Sequence, residues 1–345
     1  MVHCTVLFPG LLGPDAPIAE LPRNEWPTNS TLPALSLLLN RSHASAINKQ
    51  ALEHQVLSLL GYRLAADGEL PIAAIRQPDA ISHHPMVWCL DPVYIQLDRE
   101  MAYLTDPAEL ALTEAEARQL IDDLNRDFAD VLSIQFHAPQ AWLATISMQL
   151  TTRAPSEAIA RDVNSMQPAG TDAARWRRLL NELQMFLHQH PVNVARSERG
   201  EVTVNSLWLW GGGALATQAA DIDIVYTDDA LFAMAAARNG IAVAPVPRQI
   251  DTDLFEKQNL LLVLTGQLHA IRQSDVYAWL AALRMFEQMY LAPLLTALKQ
   301  GQLQQLRVSS DTLCLTLDRR ALRKWWRMQK TIETRMLQLR SQYGY

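Results

Sequence analysis

The sequence predicts an α/β protein in which a mostly parallel sheet is covered by helices on both faces. Two observations predict this class. From about residue 172 onward, short apolar runs alternate with helical patterns, and Gly or Asp stands at the joins. The 345 residues are 49% apolar and 19% charged, a composition that can bury a large core and is unlike that of a disordered chain.

The first sixty residues predict one strand and two helices. Val2 to Phe8 is a β-rich run that ends at Pro9-Gly10, and residues 11–31 read as a surface loop rich in proline and polar residues. LPALSLLLNRS and NKQALEHQVLSLLG have helical spacing, and the second ends at Gly61 in the manner of a helix C-cap.

The region from about 75 to 155 has α+β character. MVWCLDPVYIQLD and MAYLTD predict two or three strands, and LTEAEARQLIDDLNRDF predicts a helix that begins after Thr113 with acidic residues in its first turns. VLSIQF and WLATISMQL predict a strand pair.

The alternating region begins with a helix, AARWRRLLNELQMFLHQH, and then a strand, SLWLW. A helix is expected after the glycines that follow that strand. The predicted strands and helices beyond it are, in order, IDIVYT, DALFAMAAARNG, IAVAPV, LLLVLT and DVYAWLAALRMFEQMYLAPLLTAL.

Three parts of the chain follow from this pattern. Residues 1–74 and 166–318 are expected to form the core, residues 75–165 an inserted α+β subdomain, and residues 319–345 a basic C-terminal helix. From Arg319 to Arg340 the tail holds eight Lys or Arg against the single acid Glu333. It predicts either an amphipathic helix docked on the body or an element that binds nucleic acid, membrane or an acidic partner. The candidate partner-binding residues are Arg323, Lys324, Trp325, Trp326 and Arg327.

The bulk chemistry excludes several classes of protein. The three cysteines are far apart and form no CxxC pair, so neither a disulfide framework nor a thiolate metal site is indicated. The N-terminus lacks a basic region and is broken early by Pro9 and Gly10, and the most apolar later stretch carries Arg284 and Glu287. The sequence therefore predicts a cytoplasmic protein without a membrane span.

The glycines at 211–213 follow the apolar strand directly. At the carboxyl end of a parallel strand, glycine lets a ligand such as phosphate approach backbone N–H groups at a helix N-terminus. The same residues serve equally well for close packing of a helix on a sheet, and the sequence leaves both interpretations open.

A longer string, HPVNVARSERGEVTVNSLWLWGGG from 190 to 213, resembles a segment of archaeal-type, cofactor-independent phosphoglycerate mutases of the alkaline phosphatase superfamily. LSLLGY, DREMAY and FEQMYLAPLL resemble further segments of that family in the same order. ADIDIVYTDD, VLTGQLHAI and the late WWR are similar to the bacterial RpfE-type regulatory proteins, which are mutase-like. The resemblance implies an alkaline-phosphatase-like fold.

The departures from the family concern its chemistry. The resemblance implies two divalent metal ions held by Asp and His and a Ser or Thr nucleophile. Where the family has its first Asp, strand one ends in Phe8-Pro9-Gly10, and Leu52 and Glu53 stand at the place of the nucleophile. Late in the chain the candidate ligands are His269, Asp275 and Asp311. Neither a catalytic residue, a bound metal nor a cofactor is predicted.

The expected function is therefore that of a non-catalytic relative of these mutases with a regulatory or ligand-binding role. A phosphorylated small molecule is the expected ligand. Two alternatives stay open: an active mutase or phosphatase with relocated metal ligands, and a scaffold or nucleic-acid partner that acts through the basic tail. The candidate anion-binding residues are His190, Asn193, Arg196, Asn205, Gly211, Gly212 and Gly213, and the rival interpretation is that they only tie this segment to the sheet.

Overall fold

The structure is a computed structural model. It describes residues 2–14, 18, 21–48, 50–63, 68–77, 87–98, 101–105, 107–159, 162–255, 259–323 and 329–344.

Within these residues the strands are β1 (His3–Leu7), β2 (His43–Ala46), β3 (Val87–Val93), β4 (Ile95–Asp98), β5 (Met101–Leu104), β6 (Ser133–Ala138), β7 (Ala141–Thr145), β8 (Ser206–Trp210), β9 (Ile224–Tyr226), β10 (Ala242–Ala244), β11 (Leu260–Val263), β12 (Gln305–Ser309) and β13 (Leu313–Asp318).

The α-helices of the same residues are α1 (Pro33–Arg41), α2 (Leu52–Leu59), α3 (Ile72–Arg76), α4 (Pro107–Leu110), α5 (Glu114–Asp127), α6 (Pro155–Ala158), α7 (Ala173–Gln189), α8 (Pro191–Glu198), α9 (Ala230–Arg238), α10 (Leu268–Arg272), α11 (Val276–Met285), α12 (Ala292–Gln300), α13 (Arg319–Leu322) and α14 (Ile332–Tyr343).

The chain divides into two compact units, of which unit 1 comprises Met1–Gly61 and Ala219–Tyr345. Its seven-stranded sheet has the order β10-β9-β11-β1-β12-β13-β2. The first five strands in this order, β10, β9, β11, β1 and β12, run parallel to one another. Strand β13 pairs antiparallel with β12, and β2 pairs antiparallel with β13. The prediction of an α/β protein with a mostly parallel sheet is therefore confirmed.

The sheet of unit 1 has buried residues on both faces. Alternate residues such as Val6 and Leu262 belong to a large core that also contains buried residues of α1, α11, α12 and α14. Their neighbours in β1 and β11, Leu7 and Leu261, point to the opposite face because strand residues alternate, and they are buried as well. Apolar side chains on both faces of the central strands explain why these strands read as continuous apolar runs.

A buried carboxylate holds the start of α1. Between α11 and α12, residues Phe286–Leu291 form a π-helical turn. From this turn Glu287, which is 4% exposed, accepts hydrogen bonds from the backbone N–H groups of Ala34 and Leu35, each at 2.7 Å. Helix α1 has no side-chain cap of its own, so Glu287 supplies the acceptor that its first N–H groups need.

The burial of the Glu287 carboxylate predicts that the stability of the folded protein depends on pH. Burial raises the pKa of Glu287, and the N–H groups of Ala34 and Leu35 oppose that rise only in part. Between the unfolded pKa, about 4.3, and the higher folded pKa, the folded state binds more protons, so stability falls as pH rises. We expect the free energy of unfolding of the wild type, relative to Glu287→Gln, to decrease through this window and then level off. Urea unfolding from acid to neutral pH measures this difference, and a constant difference would contradict the expectation.

Unit 2, Tyr62–Gln218, contains a smaller antiparallel sheet. Its strand order is β6-β7-β3-β8, and β4 and β5 form a separate hairpin. Helix α5 begins at a capping box, in which Thr113 accepts from the N–H of Glu116 and the Glu116 carboxylate accepts from the N–H of Thr113. This start was predicted from LTEAEA, and the β6–β7 pair from VLSIQF and WLATISMQL.

Two expectations about the glycine-rich segment are wrong. Strand β8, SLWLW, does not join the parallel sheet but pairs antiparallel with β3, with Cys89 opposite Trp210 and Val93 opposite Ser206. Residues 211–223, all of which the structure describes, contain no helix. A fully buried strand has the same apolar signature in either kind of sheet, so periodicity alone does not separate the two.

The boundaries of the two compact units can be set beside the expected domain boundaries. The structural divisions follow Gly61 and Gln218, whereas the expected ones follow residues 74 and 165. The pairing of β8 with β3 keeps residues 206–210 in unit 2, and a bridge between Thr217 and Tyr62 keeps the residues that follow there. In the tail, the described residues form two helices, α13 and α14, in place of one.

Candidate functional site

The glycine turn, defined as Gly211, Gly212 and Gly213, surrounds a carboxylate of the chain itself. Glu69 is 6% exposed, and its carboxylate accepts from the N–H of Gly211 at 3.0 Å and of Gly212 at 3.3 Å. It also accepts from the N–H of Thr152 at 2.7 Å and from the Thr152 hydroxyl. The turn therefore does bind an anion, as exposed backbone N–H groups are suited to do, but the anion is Glu69.

Close packing explains why three glycines stand here. A Cβ on Gly212 would lie 2.5 Å from the ring of Trp88, and one on Gly213 would lie 2.5 Å from the carbonyl oxygen of Glu69. Gly211 has a φ of +70°, and a Cβ there would lie 2.8 Å from the Cβ of Ile72. The bare backbone admits neighbouring parts of unit 2, and the predicted packing partner, a helix after the strand, is absent from this fully described segment.

Gly213→Ala tests this packing. The new Cβ meets backbone atoms of Glu69 and Leu70, which cannot rotate away, so we expect the free energy of unfolding to fall by about 3 kcal/mol, at the upper end for overpacking. Gly266→Ala is the matched control, because a Cβ there has no atom within 4 Å and the φ of Gly266 lies outside the positive region that strains other residues. Equal urea midpoints for the two variants would contradict the packing account.

Arg196 has its guanidinium engaged inside unit 2. The side chain is 2% exposed. Nε donates to the carbonyl of Val202 at 2.8 Å, Nη1 to the carboxylate of Glu116 at 2.8 Å, and Nη2 to the carbonyl of Leu110. This arrangement holds α8 against α5 and the residues before it, as the rival structural interpretation of Arg196 requires.

The two predicted asparagines are engaged in the same way. Asn193, 4% exposed, donates to the carbonyls of Leu187 and Val204 at 2.7 Å each and accepts from the N–H of Val204. Asn205 accepts from the N–H of Ile95 and donates to its carbonyl. Each amide ties the segment 187–205 to its neighbours.

His190 is the N-cap of α8. Its Nδ1 accepts from the N–H of Val192 at 3.2 Å, and its Nε2 lies 3.0 Å from a carboxylate oxygen of Asp123. A ring nitrogen that accepts cannot carry the proton, so the proton lies on Nε2 and is donated to Asp123. The structure thus places His190, Asn193, Arg196, Asn205 and the glycine turn in one unit, each with internal partners.

A buried ion pair near the glycine turn was not predicted. Asp91, in the middle of β3, accepts from Nη1 and Nη2 of Arg76 at 2.6 and 3.0 Å and from the indole Nε1 of Trp210 at 2.7 Å. It accepts a fourth hydrogen bond from the N–H of Trp142 at 3.1 Å. The signal for it in the sequence is an aspartate inside the apolar run MVWCLDPV, because a charge in a buried strand requires a partner.

The second candidate region is the carboxyl edge of the unit 1 sheet, where ligands bind in open α/β folds. β1, β11 and β12 end side by side there. The Asp311 carboxylate accepts from the N–H of Gly10 at 2.8 Å, and the Ser310 hydroxyl accepts from the N–H of Leu11 at 3.1 Å. Gln267, 3% exposed, donates to the carbonyls of Pro9 and Leu264. These polar side chains hold the loop after β1 in place.

The remaining positions predicted for the metal site and its nucleophile are Asp275, His269 and Leu52. Asp275 is the N-cap of α11, and His269 is exposed on α10. Leu52 is the first residue of α2. Among the described residues, groups of three or more His, Cys, Asp or Glu with a geometry suited to a metal ion are absent. After β9, Asp229 is the N-cap of α9.

The basic tail is partly docked on unit 1. Ile332, Met336 and Leu339 are buried, and Arg340 donates to the carbonyls of Leu12 and Gly13, both at 2.9 Å. Arg323 is exposed. The other partner-binding candidates, Lys324, Trp325, Trp326 and Arg327, lie outside the described residues, so a partner for the tail stays a prediction.

In the ranges that the structure describes, each helix is too short or too polar to cross a bilayer.

Comparisons with known proteins show which proteins this chain is similar to. No protein-family model matches the chain. It is 25% identical over 164 residues to the probable 2,3-bisphosphoglycerate-independent phosphoglycerate mutase of Geobacter sulfurreducens, a match that covers 46% of this chain and 41% of that protein. It is 24% identical over 165 residues to the corresponding mutase of Methanosarcina barkeri, covering 46% and 40%. The match thus spans about two fifths of the length of these relatives.

Solved structures resemble the chain over nearly its whole length. The PH0037 protein from Pyrococcus horikoshii has a TM-score of 0.51 at 13% identity, with 98% of this chain and 92% of that chain covered. This is a likeness of fold alone. A cofactor-independent phosphoglycerate mutase from Thermoplasma acidophilum has a TM-score of 0.43 at 14% identity, with 97% and 94% covered. At the level of sequence, the chain has weak homology to cofactor-independent phosphoglycerate mutases over about half its length.

Proposed function

We propose that this protein is a non-catalytic relative of the cofactor-independent phosphoglycerate mutases, of the RpfE-type regulatory group, and that it acts in the cytoplasm by binding. The observation that carries the proposal is the carboxyl edge of the unit 1 sheet. There, the polar side chains of Ser310, Asp311 and Gln267 hold the backbone of residues 9–11.

The chemistry of phosphoryl transfer supports this proposal. Two divalent ions need several carboxylate and imidazole ligands that converge on an open position, and the reaction needs a nucleophile beside them. At the end of β1, Phe8 and Pro9 have no side-chain ligand atom, and Leu52 has no nucleophilic atom. The nearby Asp311 already accepts from the N–H of Gly10 and from the Ser310 hydroxyl.

Metal retention tests the proposal. After incubation with Mn²⁺ and Zn²⁺ followed by desalting, we expect the wild type to hold well under one metal ion per chain, because a site with too few ligands releases its ion. Asp311→Ala is the matched control and is expected to retain the same small amount. Phosphoglycerate mutase and phosphatase assays in both metals are expected to show no turnover above the blank.

One set of results would contradict the proposal that the protein is non-catalytic. Two equivalents of metal retained by the wild type, lost in Asp311→Ala, and accompanied by activity that a chelator removes would show an enzyme with relocated ligands. Metal retained equally by both proteins would point to ligands elsewhere in the chain and would also contradict the proposal, if turnover accompanied it.

A phosphorylated small molecule remains the proposed kind of ligand for a binding role. At the glycine turn such a ligand would have to displace the Glu69 carboxylate, which has four donors there. The donors of Arg196 are likewise engaged with Val202, Leu110 and Glu116. These contacts favour a ligand site elsewhere in the molecule.

A further inference from the structure

One side of helix α11, in unit 1, carries large apolar side chains on the surface of the protein. The exposed residues that lie together on this side are Tyr277, Ala278, Ala281, Arg284 and Met285. An α-helix turns by about 100° per residue, so all five lie within about 60° of Ala281. Tyr277 and Met285 are 65% and 63% exposed. We refer to these five residues as the α11 face.

The residue types of the α11 face are those of a protein interface. Tyrosine, methionine and arginine are enriched where proteins meet, and here they stand at the two ends of the face. The centre holds the small residues Ala278 and Ala281, which allow a second helix to approach closely because the distance between packed helices depends on the side chains at the contact. Contiguous exposed apolar groups of this kind indicate a contact site.

The two ends of the α11 face carry opposite charges. Within the described residues, no carboxylate lies within ion-pair distance of Arg284. At the other end, the hydroxyl of Tyr277 is hydrogen-bonded to the carboxylate of Glu25, which has no ion-pair partner in the described part of the chain either. Oε2 of Glu25 is buried without a hydrogen bond, so the other oxygen, beside Tyr277, presents the negative charge to this face.

A face with this arrangement is complementary to itself. If two copies pack α11 antiparallel about a two-fold axis through Ala281, Tyr277 of each copy lies opposite Met285 of the other. Arg284 of each copy then lies opposite Ala278, at the end of the face where Glu25 of the other copy stands. A parallel arrangement would instead place Arg284 against Arg284, so the charges select the antiparallel pair.

We propose that the protein forms a two-fold symmetric dimer through the α11 face, in which Arg284 of each copy is attracted to Glu25 of the other across an apolar centre. The face is about 12 Å long, at 1.5 Å per residue. This length is at the low end for interfaces, so we expect weak association, with a Kd of about 1–100 μM. The dimer uses none of the residues at the carboxyl edge of the sheet and does not depend on the absence of catalysis.

Sedimentation velocity between about 1 and 300 μM protein, in about 50 mM salt, tests the dimer. The wild type is expected to shift from monomer to dimer over this range. Arg284→Glu is expected to raise the Kd at least tenfold, because it sets like charges against each other at both ends of the interface. Arg178→Glu is the matched control. It makes the same change of charge at an exposed arginine on α7 of unit 2, also without an ion pair in the described residues, and is expected to leave the Kd unchanged.

A mixture of two variants tests the antiparallel geometry. Glu25→Lys alone is also expected to raise the Kd at least tenfold, through like charges at both ends. When it is mixed with Arg284→Glu, one Arg284–Glu25 contact keeps its charges and the other has them exchanged. A heterodimer with nearly the wild-type Kd is therefore expected. Neither a folding defect nor a change of net charge would be repaired by mixing.

Three results would overturn the inference. A wild type that stays monomeric up to about 300 μM would show that a second copy does not occupy this face. A wild-type dimer that Arg284→Glu leaves intact, or that Arg178→Glu weakens equally, would place the interface elsewhere. A mixture that stays monomeric, although both variants melt at the wild-type temperature, would contradict the antiparallel pairing of Arg284 with Glu25.

Discussion

Glu69→Ala is expected to lower the free energy of unfolding by about 3–5 kcal/mol. The change leaves the N–H groups of Gly211, Gly212 and Thr152 and one hydroxyl without their shared acceptor, and each buried orphan costs about 1–3 kcal/mol before water enters. For a unit of this size the melting temperature should fall by about 6–20 °C. Calorimetry or thermal circular dichroism measures the shift.

The matched control is Glu182→Ala, which removes an exposed carboxylate from α7 in the same unit. Its free energy of unfolding should stay within about 0.5 kcal/mol of the wild type, as for most surface changes. An equal loss in both variants would show that Glu69 acts only through net charge.

The same variant also tests whether the glycine turn is an anion site. Glu69→Ala empties a space lined by donors, so about 100 mM acetate or formate should raise its melting temperature by a degree or more through mass action. The wild type, in which Glu69 fills that space, should show no such rise over chloride at equal ionic strength. No difference between the proteins would mean that the donors hold Glu69 without general affinity for carboxylates.

Asp91→Ala is expected to have a similarly large effect, about 3–5 kcal/mol in free energy of unfolding. The change leaves the guanidinium of Arg76 without its counter-charge. Arg76 is 8% exposed, and its guanidinium lies over the ring of Trp210 at 5.4 Å from the centroid. Removing one member of a buried pair leaves an uncompensated charge. Urea unfolding gives the loss.

The exposed pair of Arg118 and Glu114 supplies the control. Glu114→Ala should cost less than about 0.5 kcal/mol, because an exposed pair on one helix contributes little. Adding Arg76→Met to Asp91→Ala should recover part of the stability by removing the stranded charge. A double variant less stable than Asp91→Ala would show that Arg76 stabilises unit 2 mainly through contacts other than this ion pair.

The sequence predicts the elements better than it predicts their assembly. Helix starts can be predicted because the residues that interact there are close together in sequence. Thr113 and Glu116 form both halves of a capping box, and Asp229 caps the helix α9 that follows it. The class of the main sheet also follows from local alternation. Strand β8 was placed wrongly because its partner β3 lies more than a hundred residues away, and a run of five buried residues fits either sheet.

The partners of the candidate site residues are likewise hard to predict from the sequence. The sequence shows that Gly211 to Gly213 leave the backbone without side chains. In the structure an anion, the Glu69 carboxylate, lies against this backbone. Sequence spacing gives no means of finding that the anion is Glu69, some 140 residues earlier in the chain, since that contact depends on tertiary packing. Arg196 and Asn193 read as ligand-binding residues because of their type, whereas their partners are the backbone and Glu116.

The discontinuity of unit 1 sets an order of events during synthesis. Strand β1 lies between β11 and β12, and His3 pairs opposite Gln305. Unit 2 is one continuous segment and is complete on the ribosome before either neighbour of β1 has been made. Until then β1, with both edges unpaired and an apolar sequence, is exposed to wrong pairing. Strand β1 therefore waits without a sheet neighbour while the roughly 250 residues between Leu7 and Leu260 are made, and this long sequence separation is expected to slow the folding of unit 1.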